Sequence, residues 1–513
     1  MKRKSNRWLT SHALLSLGAC LSILWSVYFA MTTISTPYQI ELREGTAQVM
    51  TGFLLAQSNP FILENQPLAM NNYGLGYNLA VWPFALLLGN TLFVHRLVTF
   101  IFILCASLTG FWVVYRSGNH MAFAASCAAF IMIGLIGRGG IGAFPSAMGA
   151  FLFLLTISIP FLYRFTPASL FTSILLSIAA FYTKAYFVLG VGIVVSYLFM
   201  FESKRKGIFH LLLFLSLLIA SFFAIRSIFP LYFINTVIGN ISNTIRSIPH
   251  MLSQLKLLGL YFSPMLLVSV WIVISEKGLF HRADGPLFLV RAWTQPLMGL
   301  RIDYFLYSFL CTLLAFILFL GPHTGSNLNY AYHLVLPVFF CWFFQKIGAQ
   351  NKWTLVISGI VIINLFLWNW IVLPSHMLKQ KDSAEWSKLH SYVQSASNIL
   401  NSPAVTSMMI EAGMNPLDSG QTAYFYSVKP YPDNPMLGPL YATFRADGIQ
   451  YIRSIDNSIQ KQRFDLVFTI VEKGAFYHTK LLDDHYLPMD EIRVDMPQTG
   501  QQWTVVVWKP ISK

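Results

Sequence analysis

The sequence is divided into uninterrupted apolar blocks of about twenty residues, a pattern that very few folds accommodate. Leu9–Met31, Ile208–Phe229 and Leu355–Leu373 are clear cases. A helix rises about 1.5 Å per residue, so such a block crosses a hydrocarbon core of about 30 Å. Amphipathic periodicity is nearly absent inside the blocks, as expected where lipid surrounds the helix. Only 11% of the 513 residues are charged, and the mean hydropathy is +0.56. A soluble chain of this length needs far more charge to coat its surface. The chain therefore reads as a polytopic membrane protein.

The formal charge of +14 first suggests a nucleic-acid partner, but its distribution excludes one. Lys and Arg fall in short runs between apolar blocks, and the aromatic residues are mostly Phe inside those blocks rather than stacking platforms. Positive-inside topology explains the excess. Cys20, Cys105, Cys127, Cys311 and Cys341 all lie in apolar stretches, which leaves no disulfide framework for soluble parts. The basic start Met1–Arg7 and the apolar run after it resemble a signal peptide. The run is longer than an h-region and lacks an Ala-x-Ala site, so a retained first helix is expected.

Lys2, Arg3, Lys4 and Arg7 place the N-terminus in the cytoplasm. After the first span, Pro37, Pro60, Pro67 and Pro83 interrupt an intermittently apolar stretch. It reads as an outer loop with interfacial helices, Gly76–Leu88 being too short to span. Further spans fall at 91–114, 121–137, 145–163, 168–183, 185–202, 208–229, 256–275, 302–321, 332–346 and 353–373. Counted with the first, these make about eleven. Alternation then puts the Lys204–Lys206 cluster inside, and the loops 31–90, 138–144, 230–255 and 322–331 outside with the C-terminal region. The expected division is a transmembrane domain over 1–375 and an extracytoplasmic α/β domain over 376–513.

A few cations break the charge bias by standing near the outer helix ends: Arg43, Arg96, Arg138, Lys184, Arg226 and Arg246. Ionisable groups at membrane depth are candidate functional groups, and together these would form a basic pocket for a phosphate or pyrophosphate. On the residues alone, Lys184 fits a snorkelling lysine equally well. The first outer loop supplies opposite charge in Glu41 and Glu44, three apart and so on one face of a helix. A solvated helix start explains that pair too.

The order of these parts resembles the GT-C superfamily of integral-membrane glycosyltransferases: a retained helix, an outer loop with early acidic residues, an interfacial helix, many spans, then an outer domain. The bacterial relatives of dolichyl-phosphate-mannose protein mannosyltransferases and of the aminoarabinose transferase are the nearest group. Glu44-Gly45-Thr-Ala-Gln48 followed by Asn59-Pro60-Phe61 resembles the acidic motif and its exit. Asn72-Tyr73-Gly74-Leu75-Gly76-Tyr77 resembles a Tyr-Gly-Pro-x-Tyr segment, with Leu75 where proline is usual. His95-Arg96-Leu97 resembles the entry to the second span, and Thr183-Lys184 the dipeptide at the outer end of a middle span, with Ala185 as a departure. Asn329-Tyr330, followed by His333, resembles a late outer loop. The similarity covers roughly residues 1–375, and its weight lies in the order of short motifs.

The resemblance implies transfer of a sugar from a polyprenyl-phosphate donor to a glycan, lipid or protein acceptor on the outer face of a bacterial inner membrane. Inverting displacement needs a carboxylate to take the acceptor's proton and cations to stabilise the departing phosphate. The Glu-Gly match favours Glu44 as base, with Glu41 the alternative. Lys184, Arg96 and Arg138 are the expected phosphate ligands, in that order, with Arg43 orienting the carboxylate. Tyr73, Asn329, Tyr330 and His333 are further candidates for the substrate site.

No His-x-His, Cys-x-x-Cys or Asp-x-Asp stands in an outer loop, so neither metal nor other cofactor is expected. Gly137–Gly142 lacks the context of a dinucleotide fingerprint, which fits a lipid-linked donor. In the C-terminal region a helix is expected over Ser383–Leu400, with strands at Val405–Ile410, Gln450–Ile455, Leu466–Val471 and Trp503–Trp508. Two other classes remain open. A transporter or flippase would show internal repeats and charges at the bilayer midplane. A polysaccharide polymerase or ligase usually carries its large outer loop late.

Overall fold

The structure is a computed structural model. It describes all residues except 1, 42, 138–140, 244–246, 276–303, 316, 318–328, 349–352, 374–383, 423–430, 473–474, 476–478, 497–500 and 512–513. It shows an all-α polytopic membrane domain followed by a small α/β domain.

In the helical domain, α1 (Lys2–Ile34) leads to two shorter helices, α2 (Glu44–Leu55) and α3 (Gly76–Leu88). Then follow α4 (Leu92–Gly118), α5 (Met121–Leu135), α6 (Ser146–Leu162), α7 (Pro167–Thr183), α8 (Leu189–Tyr197) and α9 (Lys204–Ile228). The domain closes with α10 (Gly239–Asn243), α11 (Ile248–Ser275), α12 (Tyr304–Ala315), α13 (Asn329–Gly348) and α14 (Thr354–Ile371). Each span expected from the sequence corresponds to one of these helices or, at 185–202, to α8 with its flanking turns. Among the described residues five helices are long and apolar enough to cross a membrane, six if the bent α11 counts as one span, and further apolar helices are shorter.

The surface shows what solvates this domain. On α9, Phe209, Leu212, Ile219 and Phe223 are all more than half exposed. Contiguous apolar surface of that kind on several helices is stable in lipid and not in water. α3 has 13 residues, about 20 Å of helix. That is short of a hydrocarbon core, in keeping with an interfacial position.

The C-terminal α/β domain has α15 (Ala384–Ser395), α16 (Thr406–Glu411), α17 (Pro439–Gln460) and α18 (Lys480–His485). Its four strands are β1 (Ile399–Leu400), β2 (Leu466–Ile470), β3 (Tyr486–Met496) and β4 (Gln501–Pro510), in the spatial order β1-β2-β4-β3. β1 runs parallel to β2, and the other pairs are antiparallel. Trp386, Leu389 and Val393 of α15 pack on Phe468, Trp503 and Val505 of the sheet.

Two expected strands are helical instead. Val405–Ile410 overlaps α16, and Gln450–Ile455 lies within α17. A short apolar run does not distinguish strand from helix by itself. Over its full length, α17 turns Phe444, Gly448, Ile455 and Ile459 inward at helical spacing.

Candidate active site

Two clusters, built on residues three apart, occupy the junction between the segment after α1, the helix ends and the C-terminal domain. Glu44, the first residue of α2, has no solvent exposure. Its Oε1 accepts hydrogen bonds from Arg96 Nε at 2.8 Å and from the Ala143 N–H at 3.0 Å. Its Oε2 accepts from Arg96 Nη2 at 2.7 Å and from the Ile40 N–H at 2.7 Å. Arg96, on the second turn of α4, is fully buried and donates as well to the carbonyls of Thr33, Thr36 and Tyr38. All five guanidinium N–H groups have partners, and the carboxylate is held in a two-pronged pair.

This arrangement bears on two sequence expectations. Glu44 was favoured as base and Arg96 as a phosphate ligand, but each is consumed by the other and by backbone. The pair ties the end of α1, the start of α2, α4 and the residue after Gly142 into one unit, and has no donor or acceptor left for substrate.

The second cluster is more open. Glu41 Oε1 accepts from Arg43 Nε at 2.6 Å, and its Oε2 accepts from the Arg43 N–H at 2.7 Å. Both bonds come from one residue, and the Arg43 side chain is one-third exposed. A carboxylate has about four acceptor positions, so Glu41 retains capacity for another donor. Arg43 also donates from Nη1 to the Tyr73 hydroxyl and lies over the rings of Tyr73 and Phe144.

Lys184 completes the group. Its ammonium lies 5.1 Å from the ring centres of Tyr73 and Tyr186 and donates to Ser146 Oγ at 3.1 Å. It stands between α7 and the short turn Ala185–Val188. Burial, aided by the Arg43 charge and opposed by Glu41, pushes its pKa down to about 7. Burial likewise raises the Tyr73 phenol above its ordinary value.

The sequence explains how Tyr73 and Lys184 meet. Gly74 donates its N–H to the Thr183 carbonyl at 3.2 Å. A Cβ at Gly74 would stand 1.9 Å from the Tyr182 carbonyl oxygen, and one at Gly76 2.6 Å from Thr183 Oγ1. Only glycine permits the 73–76 segment to lie against the end of α7 so closely. An Asx-type bond from the Tyr73 N–H to Asn71 Oδ1 at 2.9 Å shapes the turn.

The other candidates fare differently. His333 is buried in the helical core beside Tyr261, Phe262 and Trp368. It is not part of the Tyr73 group. Arg138 and the side chains of Asn329 and Tyr330 lie outside the described residues. Ser146, Phe144, Tyr186 and Gln39 were not singled out from sequence, because nothing in their local patterns marks them. No group of three or more potential metal ligands occurs among the described residues.

The fold is similar to that of two solved structures. ArnT from Cupriavidus metallidurans bound to undecaprenyl phosphate superposes with a TM-score of 0.56 at 11% identity, over 95% of this chain and 97% of that one. ArnT from the same organism in the apo state gives 0.53 at 12% identity, over 95% and 97%. No protein-family model matches the sequence, and no curated protein matches it.

Proposed function

We propose that this protein is a membrane glycosyltransferase that moves a sugar from a polyprenyl-phosphate donor to an acceptor hydroxyl or amine on the outer face of a bacterial inner membrane. The observation that carries this reading is the Arg43–Tyr73 pair. It brings a carboxylate with spare acceptor capacity, Glu41, beside two cations, Arg43 and Lys184. The fold and the phosphate-bearing lipid named with one similar structure support the choice of donor.

In this scheme Glu41 is the base. The acceptor's oxygen or nitrogen attacks the anomeric carbon and gives its proton to Glu41. The bond between that carbon and the lipid phosphate oxygen breaks, and the electron pair leaves with the phosphate. Lys184 and Arg43 hold the phosphate and stabilise its growing charge. Glu44 and Arg96 fix the frame and touch no substrate. The N-terminus lies in the cytoplasm, and the C-terminal domain, residues 376–513, lies outside.

The test is lipid and glycan mass analysis of cells lacking the gene, complemented with the wild type or with Glu41→Gln. A modified species restored by the wild type and not by Glu41→Gln is expected. An identical profile with and without the gene would overturn the assignment as a glycosyltransferase.

A further inference from the structure

The C-terminal domain is fastened to the segment that carries Glu41. The Tyr38 ring stacks on Trp386, with centres 5.4 Å apart and planes 10° from parallel. Thr46 Oγ1 donates to the Ser419 carbonyl at 2.7 Å. Glu411 accepts from the Leu92 N–H at 2.9 Å and from Gln48 Nε2 at 3.4 Å. A Cβ on Gly45 would stand 2.7 Å from Thr406 Cβ, so α2 and α16 touch where the acidic motif has its glycine.

One of these contacts reaches Glu41 itself. Gln39 is 2% exposed. Its Oε1 accepts from the Ser407 N–H at 3.1 Å, and its Nε2 donates to the Glu41 carbonyl at 3.2 Å. The orientation of the amide follows from its partners, an N–H on one side and a carbonyl on the other. The same Glu41 carbonyl accepts from the Glu44 N–H at 3.3 Å, and the Arg43 N–H is bonded to the Glu41 carboxylate. Gln39 thus links the first turn of α16 to the tight turn that presents the carboxylate.

We propose that Gln39 is a positioning residue through which the C-terminal domain sets the aim of Glu41, so that this domain is part of the catalytic site. The role rests on the reading of Glu41 as base. A reacting group displaced by about 1 Å can cost on the order of 100-fold in rate, and a buried amide that bonds to both elements is suited to prevent that.

Two substitutions separate the links. Gln39→Leu removes both hydrogen bonds. Gln39→Glu keeps an acceptor for the Ser407 N–H but cannot donate to the Glu41 carbonyl when ionised. Full-length protein in lipid nanodiscs would be compared by hydrogen exchange over residues 38–48 and by steady-state transfer with the donor lipid extracted from the parent cells. For Gln39→Leu, turnover is expected to fall by about 10- to 100-fold, with donor KM within about twofold, as for an interaction made only in the transition state. Exchange at the Arg43 and Glu44 amides should quicken by about tenfold or more. Should Gln39→Leu fail to fold, Gln39→Glu is expected to show the same faster exchange at Arg43 and Glu44, with residues 406–411 as protected as in the wild type. Unchanged exchange and turnover in a folded variant would overturn the role, as would a rise in KM that accounts for the whole loss. Faster exchange in a protein whose wild type transfers nothing would instead sink the reading of Glu41 as base and leave the link from Gln39 standing.

Discussion

Glu41 and Glu44 begin the same segment, yet their surroundings differ sharply. Glu44 is sealed from solvent and accepts four hydrogen bonds, two of them from a fully buried Arg96. Glu41 accepts two, both from a partly exposed arginine that also holds Tyr73. A buried and saturated carboxylate cannot accept a proton donor without breaking its frame, whereas one with unfilled acceptor positions can. Charge and position in sequence therefore identify the pair, and hydrogen-bond saturation distinguishes its members, on which the proposed division between scaffold and chemistry rests.

The largest effect that would sharpen this contrast concerns the scaffold. Arg96→Met leaves the Glu44 charge buried and uncompensated, which costs about 3–5 kcal/mol. Near-complete loss of folded protein is expected by size-exclusion chromatography of detergent extracts. Adding Glu44→Gln to Arg96→Met removes the stranded charge and should recover part of the folded yield. A fully folded Arg96→Met protein would show that the pair is not the frame.

Next in size is Lys184. Its replacement by alanine removes a charge-assisted contact of about 1.5–3 kcal/mol, or roughly 10- to 150-fold in affinity. Retention of undecaprenyl phosphate, followed by native mass spectrometry, should fall accordingly, with little change in melting temperature.

A smaller and more diagnostic effect is the response to pH. With Lys184 near 7 in the protein without donor, its ammonium is present below that value and lost above it. Phosphate binds the charged form, so affinity should decline as pH rises above about 7, by up to tenfold per unit until the bound-state pKa is reached. Lys184→Arg, whose guanidinium does not titrate in this range, should give a flat profile. A flat wild-type profile would remove Lys184 from the phosphate site.

The smallest expected effect is that of Tyr73→Phe. It deletes the hydroxyl that receives Arg43 and retains the ring beneath Lys184. A loss of about 1 kcal/mol, or roughly fivefold in turnover, is expected in the transfer assay.

Much of the architecture was legible in the sequence because lipid imposes a simple rule, and apolar blocks of sufficient length must become helices. The acidic loop, Arg96 and Lys184 also stood out, as charges in places that lipid disfavours, and Tyr73 through the resemblance of its motif. The division of labour between the two glutamates did not. It depends on Arg96, which is 52 residues from Glu44 in sequence, and on the Ala143 N–H, which carries no side-chain signal. The glycine after Glu44 drew attention to the carboxylate that the structure holds in four hydrogen bonds. Its reason lies in Thr406 of a domain more than 300 residues away, which no local pattern reveals. In the C-terminal domain, α16 and part of α17 resembled strands because short apolar runs carry no period, and tertiary packing against the sheet decided the outcome.

The most direct measurement compares Glu41→Gln with Glu44→Gln in one experiment, recording thermal unfolding and restoration of the modified glycan or lipid in a deletion strain. Glu41→Gln should melt within about 3 °C of the wild type, as expected for a loss of about 1–3 kcal/mol in a chain of this length, while transfer falls by about 10²- to 10⁴-fold. Glu44→Gln should lower the melting temperature markedly, and the molecules that remain folded should retain turnover. A stable but inactive Glu44→Gln protein beside an active Glu41→Gln protein would contradict the account.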